Sequence, residues 1–180
     1  MHPLYLPVVK AVNDPSDVGL VDLIVFAVKL GDTGAAARQL APMIGPETRI
    51  LTLQNGIDSV DMITPHVGAA QVRGGVIYVS AVIDRPGAIR NPGGLHTIVA
   101  DAAHGDPVMA RFFAVCDRAT ALDAKPSNAI DVTLWEKFIA LTSLSGAPGR
   151  GLRFSPAHPH HTVQQPLLVL PSTSAGRCGW

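Results

Sequence analysis

The chain has 180 residues, 47% of them apolar and 16% charged, with 14 basic against 14 acidic side chains. That length suits one domain or one and a fraction, and the apolar share is enough for a sizeable core. The even charge balance excludes an acidic or basic tail and gives no electrostatic case for nucleic acid or an anionic membrane.

The opening Met1-His-Pro-Leu-Tyr-Leu-Pro7 has no basic stretch followed by a long apolar one, so no signal peptide is expected. No apolar run reaches the roughly 18 residues that span a bilayer. A soluble cytoplasmic protein is the expectation. Asn13-Asp-Pro-Ser-Asp17 is a turn or helix-cap signal. From Asp22 to Val28 an apolar run predicts a strand buried on both faces, ending at Lys29. Asp32 or Thr33 is placed to cap a helix through about Met43, which Gly45-Pro46 stops. Arg49 to Leu53 is the next strand, Gln54-Asn55-Gly56 a tight turn, and Asp58 to about His66 a short helix. Two strands with polar tips, separated by one helix, read as half of a nucleotide-binding α/β domain, because ligands bind at such tips.

The pattern changes at Val72. From there to Ile83 the chain is β-rich, Pro86-Gly87 is a turn, and Gly94 to Ala100 is another strand. The sheet is therefore expected to end in antiparallel or mixed strands. Asp106-Pro107 opens a helix to about Ala119, with Pro tolerated in the first turn. Leu122 to Lys125 is a short edge strand. Ser127 or Asn128 caps a helix from about Ala129 to Gly146. Cys116 and Cys178 stand apart with no Cys-x-x-Cys, so a buried thiol and a tail thiol are expected rather than a disulfide or metal site. In that last helix Ile130, Val132, Leu134, Trp135, Phe138, Ile139, Leu141 and Leu144 cover nearly the whole circumference, which marks it for burial by more helices than these residues supply, as in a helical domain cut short. From Pro148 the sequence is rich in Pro, Arg, His and Ser; disorder or poorly packed coil is expected, with Leu167–Leu170 only a short apolar run.

Four features bear on chemistry. Lys29 either snorkels out of the sheet or sets its ammonium beside a ribose, phosphate or carboxylate. Gln54-Asn55-Gly56 is either an ordinary turn or a means of aiming the Asn55 amide into a cleft. Lys137 lies mid-helix among apolar neighbours: burial would lower its pKa toward a range useful for proton transfer, or it pairs with Glu136, Asp131 or Thr133 as a surface lysine. His158, His160 and His161 lie among prolines without an acidic or thiol partner, which argues against a metal site. Ser143, Ser145 and Gly146 do not make a nucleophile elbow, and there is no P-loop and no Gly-x-Gly-x-x-Gly.

Taken together, Val21-Asp-Leu-Ile-Val-Phe-Ala-Val-Lys29, Leu53-Gln-Asn-Gly-Ile57, Gly74-Gly-Val-Ile-Tyr-Val-Ser-Ala81, Pro86-Gly-Ala-Ile-Arg90 and Leu134-Trp-Glu-Lys-Phe138 resemble, in order and spacing, the ketopantoate reductase (2-dehydropantoate 2-reductase) family over about residues 6–147. The resemblance implies an α/β fold: a partial Rossmann-type doubly wound sheet over residues 1–126, the first helix of an all-α substrate domain over 127–147, and a disordered tail over 148–180. It implies NADPH as cofactor, a small 2-keto acid as substrate, and leaves a homodimer open. By resemblance Lys137 is the proton donor to the keto oxygen and meets the substrate. Asn55 contacts both cofactor and substrate, Lys29 lies near the cofactor, and Ala81 falls near a backbone contact to it.

The chain departs from that family in several places. The Gly-rich turn that cradles the pyrophosphate is not in these residues, nor is the region that selects the 2′-phosphate. A sheet without its first strands is expected to expose an edge. Where many members carry substrate-binding asparagines one and two turns after the lysine, Leu141 and Ser145 stand here. A frameshift near Ala147–Pro148 is our hypothesis for the break, and one intact, supported reading frame through the tail would sink it. Three readings follow: part of a ketopantoate reductase, a relative acting on another 2-keto acid or imine, or a non-enzymatic remnant or binding module.

Overall fold

A computed structural model describes residues 10–91, 96–120, 122–146 and 168–171. In chain order the elements are β1 (Val21–Phe26), α1 (Thr33–Arg38), β2 (Ile44–Thr52), α2 (Ser59–Val67), β3 (Val72–Tyr78), β4 (Val82–Arg85), β5 (Ala88–Arg90), β6 (His96–Asp101), α3 (Pro107–Asp117), β7 (Leu122–Ser127), α4 (Ile130–Gly146) and β8 (Leu168–Pro171). Six strands form one sheet in the order β7-β6-β3-β2-β1-β8, and β4 and β5 pair separately as a hairpin.

The continuous apolar runs explain the centre of the sheet. In β1 and β2 both faces are covered, so nearly every position must be apolar. Ile24, Phe26 and Ile50 face α1 and α2 with Ala37, Leu40, Met43 and Ile63. Leu23, Leu51 and Leu53 face α3 with Met109, Phe112 and Cys116. Each of the Leu, Ile, Phe and Met side chains among them contributes about 1.5–3 kcal/mol when fully buried. Helices on both faces of a mostly parallel sheet are the doubly wound α/β arrangement. Its end is mixed, as the change of pattern at Val72 implies: β3 runs parallel to β2, β6 antiparallel to β3, and β7 parallel to β6.

The helix starts follow their caps. The Asp106 carboxylate accepts from the amides of Val108 at 3.0 Å and Met109 at 3.3 Å, and Pro107 fills the first turn of α3. Ser127 Oγ accepts from the Ala129 amide at 3.2 Å before α4. The first helix is shorter than expected. α1 ends at Arg38, a 3-10 turn covers Ala41–Met43, and β2 begins at Ile44, so Gly45-Pro46 lies inside a strand. Pro42 has no N–H to continue an α-helix. Asp32 makes no side-chain cap; Thr33 Oγ1 instead donates to the Leu30 carbonyl at 2.7 Å.

α4 leaves uncovered the apolar surface for which further helices are expected: Trp135 is 51% and Ile139 59% exposed, while Leu134 is 6% exposed. Among the described residues α4 packs on β3 and β6, which cover one side of it. The chain beyond Pro148 was to be coil, yet Leu168–Pro171 is a strand antiparallel to β1, with Leu23 opposite Leu170 and Val25 opposite Leu168. It occupies the edge of β1 that was expected to be bare. Pro171 is admissible there because its missing N–H falls on an edge strand. The rest of the tail, with His158, His160, His161 and Cys178, lies outside the described residues, as does the proposed break at Ala147–Pro148.

Candidate functional site at the strand tips

β1, β2 and β3 are parallel, so their C-terminal tips share one edge of the sheet. Lys29 follows the tip of β1 and is exposed; its extended backbone (φ −63, ψ 145) leads into a 3-10 turn over Leu30–Asp32. Asn55 follows the tip of β2 and is exposed. Gly56 next to it has φ +108, a conformation open to glycine, and a Cβ there would lie 3.4 Å from Leu30 Cδ2. The two tips therefore stand against each other.

Between them is Gln54, which is buried. Its Nε2 donates to the Val28 carbonyl at 2.7 Å and to Thr33 Oγ1 at 2.8 Å, and its Oε1 accepts from Thr52 Oγ1 at 3.3 Å. One side chain thus ties the chain on either side of Lys29 to the tip that carries Asn55.

Lys137 arrives from α4. Its Nζ donates to the Ile77 carbonyl at 2.7 Å and lies 5.5 Å from the centroid of the Tyr78 ring, both at the C-terminal end of β3. Among the described residues it makes no ion pair with Glu136 or Asp131. Burial pulls its pKa below the ordinary 10.5. Three of the four residues singled out in the sequence therefore stand at the tips of three adjacent parallel strands. Ala81 is exposed in the link between β3 and β4, just past the third tip. Leu141, one turn after Lys137, is 38% exposed.

Toward the other end of these strands Asp106 accepts from Arg49 Nε and, at 3.1 Å, from Arg73. A cleft of about 350 Å³ opens beside this trio and His104. Burial pushes the Asp106 carboxyl up, but the Arg49 hydrogen bond and charge, with the Met109 and Val108 amides, outweigh it and hold the group below its ordinary value. This network fixes the start of α3 against β2 and β3 and lies away from the tips.

The sequence reading missed Gln54 and Tyr78. A glutamine after a strand looks like turn polarity, and an aromatic at a strand end looks like β propensity; only the packing shows what each meets.

Residues 3–104 match the family described as "Ketopantoate reductase PanE/ApbA". The chain belongs to this family. The 2-dehydropantoate 2-reductase of Halobacterium salinarum is 31% identical over 139 residues, covering 75% of this chain and 44% of that protein. The solved 2-dehydropantoate 2-reductase of Porphyromonas gingivalis is 27% identical with a TM-score of 0.67, over 75% of this chain and 48% of that one. The enzyme of the same name from Geobacter metallireducens has a TM-score of 0.68 at 23% identity, over 78% and 49% of the two chains, which speaks for the fold. The chain spans about half the length of the ketopantoate reductases it matches. No described helix is long and apolar enough to cross a membrane.

Proposed function

We propose that this chain is part of an NADPH-dependent reductase that converts 2-dehydropantoate to pantoate, with Lys137 as general acid. The observation that carries this reading is the Lys137 ammonium at the tip of β3, on the same edge as Lys29 and Asn55. The exposed Asn55 amide and Lys29 ammonium suit the ribose hydroxyls and phosphate oxygens of a dinucleotide. They and the backbone near Ala81 would meet the nicotinamide half. When bound, NADPH supplies a hydride to the keto carbon. Lys137 then has two tasks. Its charge stabilises the oxygen as negative charge develops there, and its Nζ gives that oxygen a proton, leaving a hydroxyl. Partial burial brings the ammonium nearer to proton release at working pH.

A second reading, reduction of another 2-keto acid or an imine, is kept open by Leu141 and Ser145, which stand where the family resemblance implies substrate-binding asparagines. A panel of 2-keto acids and cyclic imines separates it from the first by relative kcat/KM. These 180 residues contain no Gly-rich phosphate turn, so alone they are expected to bind NADPH weakly and turn over little. Fluorescence titration with NADPH, followed by an oxidation assay with 2-dehydropantoate, tests this. Weak binding and slow oxidation abolished by Lys137→Gln support the account. Oxidation untouched by Lys137→Gln removes Lys137 from the reaction. Robust oxidation overturns the expectation of a feeble fragment.

A further inference from the structure

Two consecutive residues of β3 meet the Lys137 ammonium, and they do so differently. Ile77 offers its main-chain carbonyl at 2.7 Å, which fixes one N–H direction. Tyr78 offers its ring, with Nζ 5.5 Å from the centroid, inside the range of a cation–π contact. Tyr78 is 43% exposed, so its ring is not needed to fill the core. The strands packed against α4, β3 and β6, carry Arg73, Tyr78, His96 and Asp101 as their titratable or charged groups, and α4 itself carries Asp131 and Glu136. Among the described residues none of these carboxylates pairs with Lys137. Among the described residues the ammonium is thus partly buried with no counter-ion, and it is compensated by the Ile77 carbonyl and, beyond it, by the negative face of the Tyr78 ring.

We propose that Tyr78 is a positioning residue for Lys137, its ring holding the charged ammonium at the strand tip in the place of a carboxylate. The chemical sense is specific. A carboxylate would hold the proton too firmly and would repel a 2-keto acid carboxylate and a developing alkoxide. A neutral ring steadies the ammonium without either penalty. The Ile77 carbonyl sets direction and the Tyr78 ring sets charge stability, so replacing the ring changes the protonation midpoint more than the fold. Burial lowers that midpoint, and a ring that favours the charged form would oppose the shift.

This inference rests on Lys137 being the proton donor, but its test uses neither cofactor nor substrate. The chain has four lysines, Lys10, Lys29, Lys125 and Lys137. The 180-residue chain labelled with ¹³Cε-lysine gives four titrating resonances, assigned for Lys137 by its loss in Lys137→Gln. Tyr78→Leu should lower the Lys137 midpoint by roughly half a unit or more, while Tyr78→Phe leaves it in place. The resonances of Lys10, Lys29 and Lys125 should not move, and thermal melts should match wild type. An unmoved midpoint in Tyr78→Leu overturns the proposal. So does an equal fall in Tyr78→Phe, which would assign the effect to the hydroxyl. Failure of the chain to reduce any keto acid would bear on the function of Lys137 and would leave the titration result intact.

Discussion

Gln54 Nε2 and the Val28 carbonyl are 2.7 Å apart, and that hydrogen bond joins the tips of β1 and β2. Gln54 is buried, and it also bonds Thr33 and Thr52, so its removal strands several polar groups without water. Leaving buried partners unsatisfied costs about 1–3 kcal/mol. Gln54→Leu is therefore expected to lower stability by that amount in urea titration, and to disturb the Lys29 and Asn55 tips first. A loss under about 0.5 kcal/mol, typical of surface changes, would contradict the assigned role.

Gly74 and Gly75 adjoin in β3 but differ in their surroundings. A Cβ on Gly75 would meet Leu51 Cδ1 at 2.8 Å, Leu53 Cδ2 at 2.9 Å and the Thr52 carbonyl at 3.2 Å. A Cβ on Gly74 would make ordinary contacts at 3.5 Å with Ile130 and Val60. Gly75→Ala should destabilise by about 1–3 kcal/mol through overpacking. Gly74→Ala should be near neutral or mildly stabilising. Equal effects of the two would contradict this packing.

The sheet was legible because its centre is fully covered. Leu23 to Phe26 and Ile50 to Leu53 are apolar at nearly every position, and that pattern has few solutions other than buried parallel strands. Asp106-Pro107 and Ser127 announced their helices through local cap chemistry. The shortening of α1 was harder to see: Leu40 and Met43 keep their apolar spacing and stay buried, so periodicity continues after the helix has ended at Arg38. β8 was illegible because its pairing is set by a partner strand nearly 150 residues away in sequence. At the site, Lys137 stood out as a charge in an apolar helix, whereas the contacts of Gln54 and Tyr78 are wholly tertiary.

Asp106 makes an acid-sensitive joint. Its folded pKa lies below the ordinary 3.8, because Arg49 and two amides outweigh the desolvation that would raise it. Stability from this group is full above the unfolded pKa and is lost as pH falls through the folded one, where the unfolded chain binds more protons. The stability gap between wild type and Asp106→Asn should therefore be constant near neutrality and narrow below about pH 4. A gap independent of pH down to the acid transition would contradict it.

Lys137 has the opposite character. Its folded pKa is lowered by burial, so the unfolded chain binds more protons between the folded value and the ordinary 10.5, and stability rises with pH across that window. Below the folded pKa the buried charge is a standing cost. Lys137→Met should then melt at or above the wild-type temperature near neutral pH, despite losing the Ile77 hydrogen bond. A clear fall in Tm would mark Lys137 as a structural residue instead.

The central claim is that Lys29 and Lys137 share one ligand-binding edge. The most direct test follows the ¹³Cε-lysine resonances of the 180-residue chain as NADPH and then 2-dehydropantoate are added at millimolar concentration. The account predicts that NADPH shifts Lys29, that the keto acid then shifts Lys137, and that Lys10 and Lys125 stay in place. Equal movement of all four, or a Lys137 resonance that ignores the keto acid, would contradict it.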